Sequence, residues 1–391
     1  MEQTPQPKKR VEYIDLLRGW AVIVMIETHV MNATLTADVT ENDFFQVLKF
    51  INGLVAPAFL FASGLAYAVT TRRKIADYLG FAPPLFKQLG RLLLILLIGY
   101  TLHIPRFNYY HVRYVAGERA WEVFFQADVL HCIAVSLLLL QVLLLVFRSE
   151  RGMYRALASL AVIVVFAAPI MWGIDFWNVL PIPLAAYMNG LHGSLFPLFP
   201  WSAFLFAGSV TGWYYLKAKD SQAAGKTGAT ATMMSSTAAF AFGMIAFSFL
   251  LHPLARQVYP TYDYWRFSPG FFFLRLGLVL LLCVLMFAYE RRHGVSPRSA
   301  VTLVGRESLI VYVTHLTLIY GDFGGFNFQK QVQQSFGYPL ALLTTVVLWL
   351  LMYVLALFWS AIKKGPVRRK RGIQLAFLVI ILGIFFFGPN H

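Results

Sequence analysis

Apolar runs of about twenty residues, separated by short polar or basic stretches, repeat from one end of the chain to the other. The pattern predicts helices over residues 14–35, 48–70, 85–104, 124–147, 154–173, 196–216, 234–252, 270–289, 303–321, 338–360 and 372–388. Each run is long enough to cross ~30 Å of hydrocarbon at the α-helical rise. The expected fold is therefore all-α, a polytopic membrane bundle of about 11 transmembrane helices. Spacing this tight leaves no room for a soluble domain. A tail over residues 1–13 followed by a single transmembrane domain over 14–391 is the expected organisation.

Composition agrees with the pattern. Of 391 residues, 58% are hydrophobic and 13% charged, against roughly a quarter charged in soluble domains. The net charge of +15 first suggests nucleic acid, but its placement argues for topology instead. Arg72-Arg73-Lys74, Arg148 with Arg151, Lys217 with Lys219, Arg291-Arg292 and KKGPVRRKR at 363–371 fall in the even-numbered connections, and Lys8-Lys9-Arg10 in the tail. The odd-numbered connections are poorer in Lys and Arg and share Asp38, Glu41, Asp43, Asp175 and Asp322. The positive-inside rule then places the N-terminus in the cytoplasm and the C-terminus outside, with the lipid bilayer rather than nucleic acid as the partner.

Cys132 and Cys283 each fall within a span, so no disulfide framework is indicated. The first span is too long for a cleavable signal peptide and carries Asp15 and Arg18 near its start, so it is expected to remain a helix. KAKDSQAAGKTGATATM at 217–233 reads as a flexible linker. Segments 105–123 and 253–269 are rich in Tyr, Trp, His and Arg; they form either an interfacial aromatic belt or a surface that stacks on sugars. No internal repeat is evident.

The candidate chemistry lies in the polar residues written into apolar helices, since each costs on the order of 2.5–3.5 kcal/mol at the bilayer centre and so faces protein or a wet cavity. In IDLLRGWAVIVMIETHV at 14–30, helical phase puts Asp15, Arg18 and His29 within about 60° of one another and Glu27 on nearly the opposite face. Asp15 and Arg18 sit at the cytoplasmic mouth, spaced for an ion pair. His29 lies ~16 Å deeper; it is either a structural helix–helix hydrogen bond or a general base. Asp128 and His131 are spaced i,i+3 at the outer start of the fourth span, either as a carboxylate orienting an imidazole or as interfacial residues. Ser308, Tyr312 and His315 share one helical face in the ninth span, lining a cavity or packing as polar glue, with Arg306 turned away. Arg275 is a further embedded cation, a candidate partner for phosphate or carboxylate. The histidines lack metal-ligand spacing, so no metal is expected.

Read together, these stretches resemble the membrane acyltransferase superfamily: acyltransferase-3 proteins and, more closely, bacterial relatives of heparan-α-glucosaminide N-acetyltransferase. The resemblance rests on IDLLRG…M-x-x-x-H at 14–29, PAFLFASGLAYA at 57–68, DVLHCIAVSLLL at 128–139, FPLFPWSAFLFAG at 196–208 and GRESLIVYVTH at 305–315, in that order. It covers about residues 10–320. It implies a multi-pass enzyme of a bacterial-type inner membrane that moves an acyl group, commonly acetyl, from cytoplasmic acyl-CoA to a hydroxyl or amine of a sugar or glycan. His29 would be the catalytic imidazole, and Arg18 would help hold the anionic donor. The layout fits that chemistry, with Asp15, Asp128 and His131 as orienting partners of His29. Arg18, Arg306 and Arg275 are then candidate anion contacts, and Ser308, Tyr312 and His315 candidate substrate contacts. A secondary transporter using Asp15, Arg18 and His29 as a relay is the alternative from another class, and a homo-oligomer stays open.

Overall fold

The computed structural model describes residues 11–296, 299–322 and 327–388. Lys8-Lys9-Arg10 and most of the expected tail lie outside the described residues. Twelve principal helices carry the fold: α1 (Glu12–Thr34), α2 (Val55–Thr71), α3 (Pro83–Leu102), α4 (Val129–Phe147), α5 (Glu150–Met171), α6 (Leu198–Ala223), α7 (Ala229–Val258), α8 (Pro269–His293), α9 (Ala300–Arg306), α10 (Ser308–Tyr320), α11 (Tyr338–Lys364) and α12 (Val367–Phe387). Among the described residues, the backbone pairing of Leu35 with Phe336 is an isolated bridge and no strand forms.

Among the described residues, eight helical segments are long and apolar enough to cross a membrane: Asp43–Leu79, which contains α2, and α3, α4, α5, α7, α8, α11 and α12. Three expected spans fall short of that description for visible reasons. α1 carries Glu12, Asp15, Arg18 and Glu27; α6 is diluted by Pro200, Trp201, Ser202, Gly208, Ser209, Thr211, Trp213 and Tyr214 among its apolar residues. The ninth span is divided at Glu307, which leaves the 13-residue α10 as its apolar part. All three pack within the bundle. The chain is thus an all-α, polytopic membrane protein.

The charged connections gather at one end. Arg72, after α2, pairs with Asp220 at the end of α6 and lies 3.9 Å from Glu150 at the start of α5. Glu290, near the end of α8, accepts the Tyr13 N–H at 2.8 Å, and Lys363, near the end of α11, reaches Glu307 at 2.6 Å. We call this the basic end. At the opposite end, Thr36 N–H donates to the Phe336 carbonyl at 3.1 Å and Asn108 Nδ2 to Gly388 O at 3.1 Å. Alternation of charge along the sequence is therefore alternation between two ends of the bundle.

Burial separates an inner layer from an outer one. In the most apolar stretches of α4 and α8, 61% of residues are buried, against 17% in α3 and α7 and none in α12. The inner layer is drawn tight where α2 crosses α6. A Cβ on Gly64 would lie 2.0 Å from the Leu205 carbonyl oxygen, and one on Gly208 2.0 Å from that of Phe61. Two motifs that stand far apart in sequence, PAFLFASGLAYA and FPLFPWSAFLFAG, thus pack on each other through small residues. Their part is architectural. The aromatic segments also serve packing: Phe107 and Tyr109 meet Phe385 and Phe386 of α12, and Tyr259 donates to the Phe166 carbonyl at 2.9 Å.

Candidate active site

The site grows from the contact of α1 with α9 and α10, which start together at the basic end. Gly19 and Gly305 let the backbones touch: a Cβ on Gly19 would lie 2.1 Å from Val301 O, and one on Gly305 2.1 Å from Asp15 O. Successive turns of α10 are thereby laid against α1. Arg18 donates from Nη2 to Ser308 Oγ at 2.5 Å. Asp15, one turn earlier, is buried. Deeper in the bundle the His29 and His315 rings face each other with centroids 5.3 Å apart. Between these two contacts, Tyr312 donates its hydroxyl to both oxygens of Asp128, at 3.1 and 3.0 Å.

Hydrogen bonds orient the two facing imidazoles. His315 Nδ1 lies 2.8 Å from Val311 O, one turn back on its own helix, and must donate there. The lone pair is left on the buried Nε2, which has no protein partner. The Tyr320 hydroxyl lies 3.1 Å from His29 O, to which it donates, and 3.3 Å from His29 Nδ1, so it holds the ring from the Nδ1 side and leaves Nε2 toward the seam. His29 is half-buried, whereas His315 is fully enclosed.

Asp128 and His131 are the N-cap and third residue of α4, linked reciprocally. The Asp128 carboxylate accepts the Val129 N–H, and the Asp128 N–H donates to His131 Nδ1 at 3.2 Å. The His131 ring packs edge-on to Tyr100 at 4.2 Å and parallel to His103 at 5.7 Å, with 7° between the planes. The outer connection covers this corner. Phe196 N–H donates to Ala127 O at 2.9 Å, the Ala127 N–H donates to Ser194 Oγ at 3.0 Å, and Gln126 Nε2 to His192 O at 3.2 Å. Within that connection His192 stacks on Trp177 at 3.8 Å and meets the Asp175 carboxylate at 2.8 Å.

The structure joins Arg18, Ser308, Tyr312, His315, His29, Asp128 and His131 into one polar seam. Arg275 does not belong to it. Its guanidinium donates from Nη1 to the Phe50 carbonyl at 2.6 Å and lies over the Phe50 ring, 4.6 Å from its centroid. It stands fifteen residues, or ~22 Å of helix rise, before Glu290, the α8 residue that meets α1 at the basic end. An anion contact shared by Arg275 and Arg18 is thus corrected: the arginine ties α8 to the helix Asp43–Asn52. Arg306 closes α9, half-buried, just before the break at Glu307. Glu27 is buried away from His29, beside Asn52.

Sequence reasoning missed His103, Tyr100 and Tyr320. His103 and Tyr320 sit at helix ends, where periodicity says nothing about facing partners. A polar residue at the end of an apolar run was the available signal.

A family model for the catalytic domain of heparan-alpha-glucosaminide N-acetyltransferase matches residues 10–252, more than half of the chain. The chain belongs to this family. No curated protein matches it. The match places it among membrane acetyltransferases and takes in Arg18, His29, His103, Asp128 and His131. GRESLIVYVTH, with Ser308, Tyr312 and His315, lies beyond the matched segment, so the expected likeness over 10–320 is supported as far as 252. For α10, membership in the seam rests on its contacts with α1 and α4.

Proposed function

We propose that this chain transfers an acetyl group from acetyl-CoA, held at the basic end, to a hydroxyl or amine of a sugar or glycan reached from the opposite end. The observation that carries this reading is the seam itself: a cation at the basic mouth and two imidazoles facing each other deeper in the bundle. The membrane is of the bacterial inner type, and the basic end is its cytoplasmic side.

In this reading the CoA phosphates stay at the mouth, where the arginine and lysine ends supply positive potential, and Arg18 meets the donor with Asp15 and Arg306 beside it. The narrow pantetheine arm lies along α1 and α10, past Ser308, with its thioester beside His29. His29 Nε2 takes the proton from the acceptor O–H or N–H as that heteroatom bonds to the thioester carbonyl carbon. The tetrahedral adduct collapses, the C–S bond breaks, and the CoA sulfur leaves with the proton carried by His29. The Tyr320 hydroxyl holds His29 from the Nδ1 side. The Tyr312–Asp128–His131 unit fixes the outer wall, where the acceptor enters beside Tyr100 and His103.

The test is transfer of labelled acetyl from acetyl-CoA by purified, full-length protein in lipid nanodiscs, with free thiol measured in parallel. His29→Ala is expected to lower transfer by about 10²–10⁴-fold, the usual worth of a positioned general base, with retained folding. Transfer at the wild-type rate by that variant would overturn the assignment.

A further inference from the structure

A groove outside the seam lies between α7 and α8 at the basic end. It encloses about 520 Å³, within the ~300–1,000 Å³ usual for ligand sites. Its floor is Met234 and Phe287, both buried. Its rim is cut low by small side chains, among them Ser235 and Ala238, so the two helices part where larger residues would close them. Arg291 and Arg292 stand at its polar mouth. α7 belongs to the outer layer, with Phe240, Phe242 and Leu250 turned outward, so the groove opens onto lipid.

We propose that this groove binds an anionic glycerophospholipid from the leaflet at the basic end. The acyl chain occupies the Met234–Phe287 trough, and the headgroup phosphate meets the two guanidinium groups. Charge complementarity selects this occupant. No carboxylate lines the groove among the described residues, and the neighbouring Glu290 is turned to the α1 side, where it takes the Tyr13 N–H. Two arginines at the end of an apolar trough match a lipid with one charged end. They match the bulky, wholly polar nucleotide end of the thioester donor poorly, and that donor has its own place at Arg18.

The test uses full-length protein in detergent, exchanged with phosphatidylglycerol or with phosphatidylcholine of the same chains, and native mass spectrometry to count retained lipid. Wild-type protein is expected to retain phosphatidylglycerol in preference. R291Q/R292Q should lose that preference by roughly tenfold, and R291K/R292K should keep most of it, which separates charge from folding. Ala238→Trp, which fills the trough, should lower retention of both lipids. Equal retention of the two lipids by wild-type protein, or undiminished preference in R291Q/R292Q, would overturn the proposal. So would a loss of acetyl-CoA binding with lipid retention intact, which would make the groove a donor site. Because lipid is counted without turnover, failure here is distinct from failure of the acetyltransfer mechanism.

Discussion

α1 and α12 are helices of similar length, 23 and 21 residues, with opposite relations to the bilayer. α12 satisfies every criterion of a membrane span and buries none of its residues. α1 fails the apolarity criterion, yet buries fifteen residues, Asp15 and Glu27 among them. The difference shows what hydropathy measures in such a bundle. An outward helix needs only to be apolar, because lipid tails supply no partner more specific than themselves. An inward helix is free to carry charge wherever another helix answers it, as Ser308 answers Arg18. The helix least like a lipid span is the one that lines the chemistry.

Substitutions that act on one helix and spare the other test this contrast. The largest effect is expected at the α1–α9 crossing. Gly305→Val would drive a side chain into Asp15 O, so little monodisperse protein should survive size-exclusion chromatography. Gly383→Ala in α12 meets nothing within 4 Å and should leave the melting temperature unchanged. Equal tolerance at both sites would remove the distinction between the helices. A middle-sized effect is expected for Tyr312→Phe, which takes a donor from the buried Asp128 carboxylate. A stability loss on the order of 1–3 kcal/mol follows, readable as a lowered thermal midpoint. No shift would mean that Tyr312 is incidental to the outer wall.

The smallest effect belongs outside the membrane. The hydrogen bond from His192 holds the Asp175 carboxyl below its ordinary range. A carboxyl depressed on folding adds stability that is complete above its ordinary value of ~3.9 and is lost as pH falls through the lower folded value. Hydrogen exchange across residues 174–195 should therefore be faster in Asp175→Asn than in wild type at pH 7. The difference should close in strong acid, once both side chains are uncharged. A gap that widens below pH 4 would contradict the pairing.

Much of this was legible in the sequence. Apolar runs mark where the principal helices lie, because each must satisfy its backbone internally, although α1, α6 and α10 are less apolar or shorter than the spans that face lipid. Helical phase brings Ser308, Tyr312 and His315 to one face of α10, and the structure meets each with a partner from α1 or α4. What stayed hidden depends on facing elements. Nothing local says that His103 lies parallel to His131, or that Tyr320 meets His29, since those partners are 28 and 291 residues apart. Arg275 misled for the same reason: a buried cation reads alike whether it awaits a ligand or binds the Phe50 carbonyl. The break at Glu307 also escaped notice; the partner that meets Glu307 there, Lys363, comes from another helix.

His29 is the general base of this reading, and His315 is the ring that faces it from α10 at 5.3 Å. The most direct measurement is acetyl transfer from acetyl-CoA by His29→Ala, His315→Ala and the double variant, in nanodiscs and with folding verified. Groups that act as a unit are strongly non-additive. Both single variants should lose transfer, and the double variant should lose no more than the worse of them. Wild-type transfer in His29→Ala, or losses that multiply in the double variant, would contradict it.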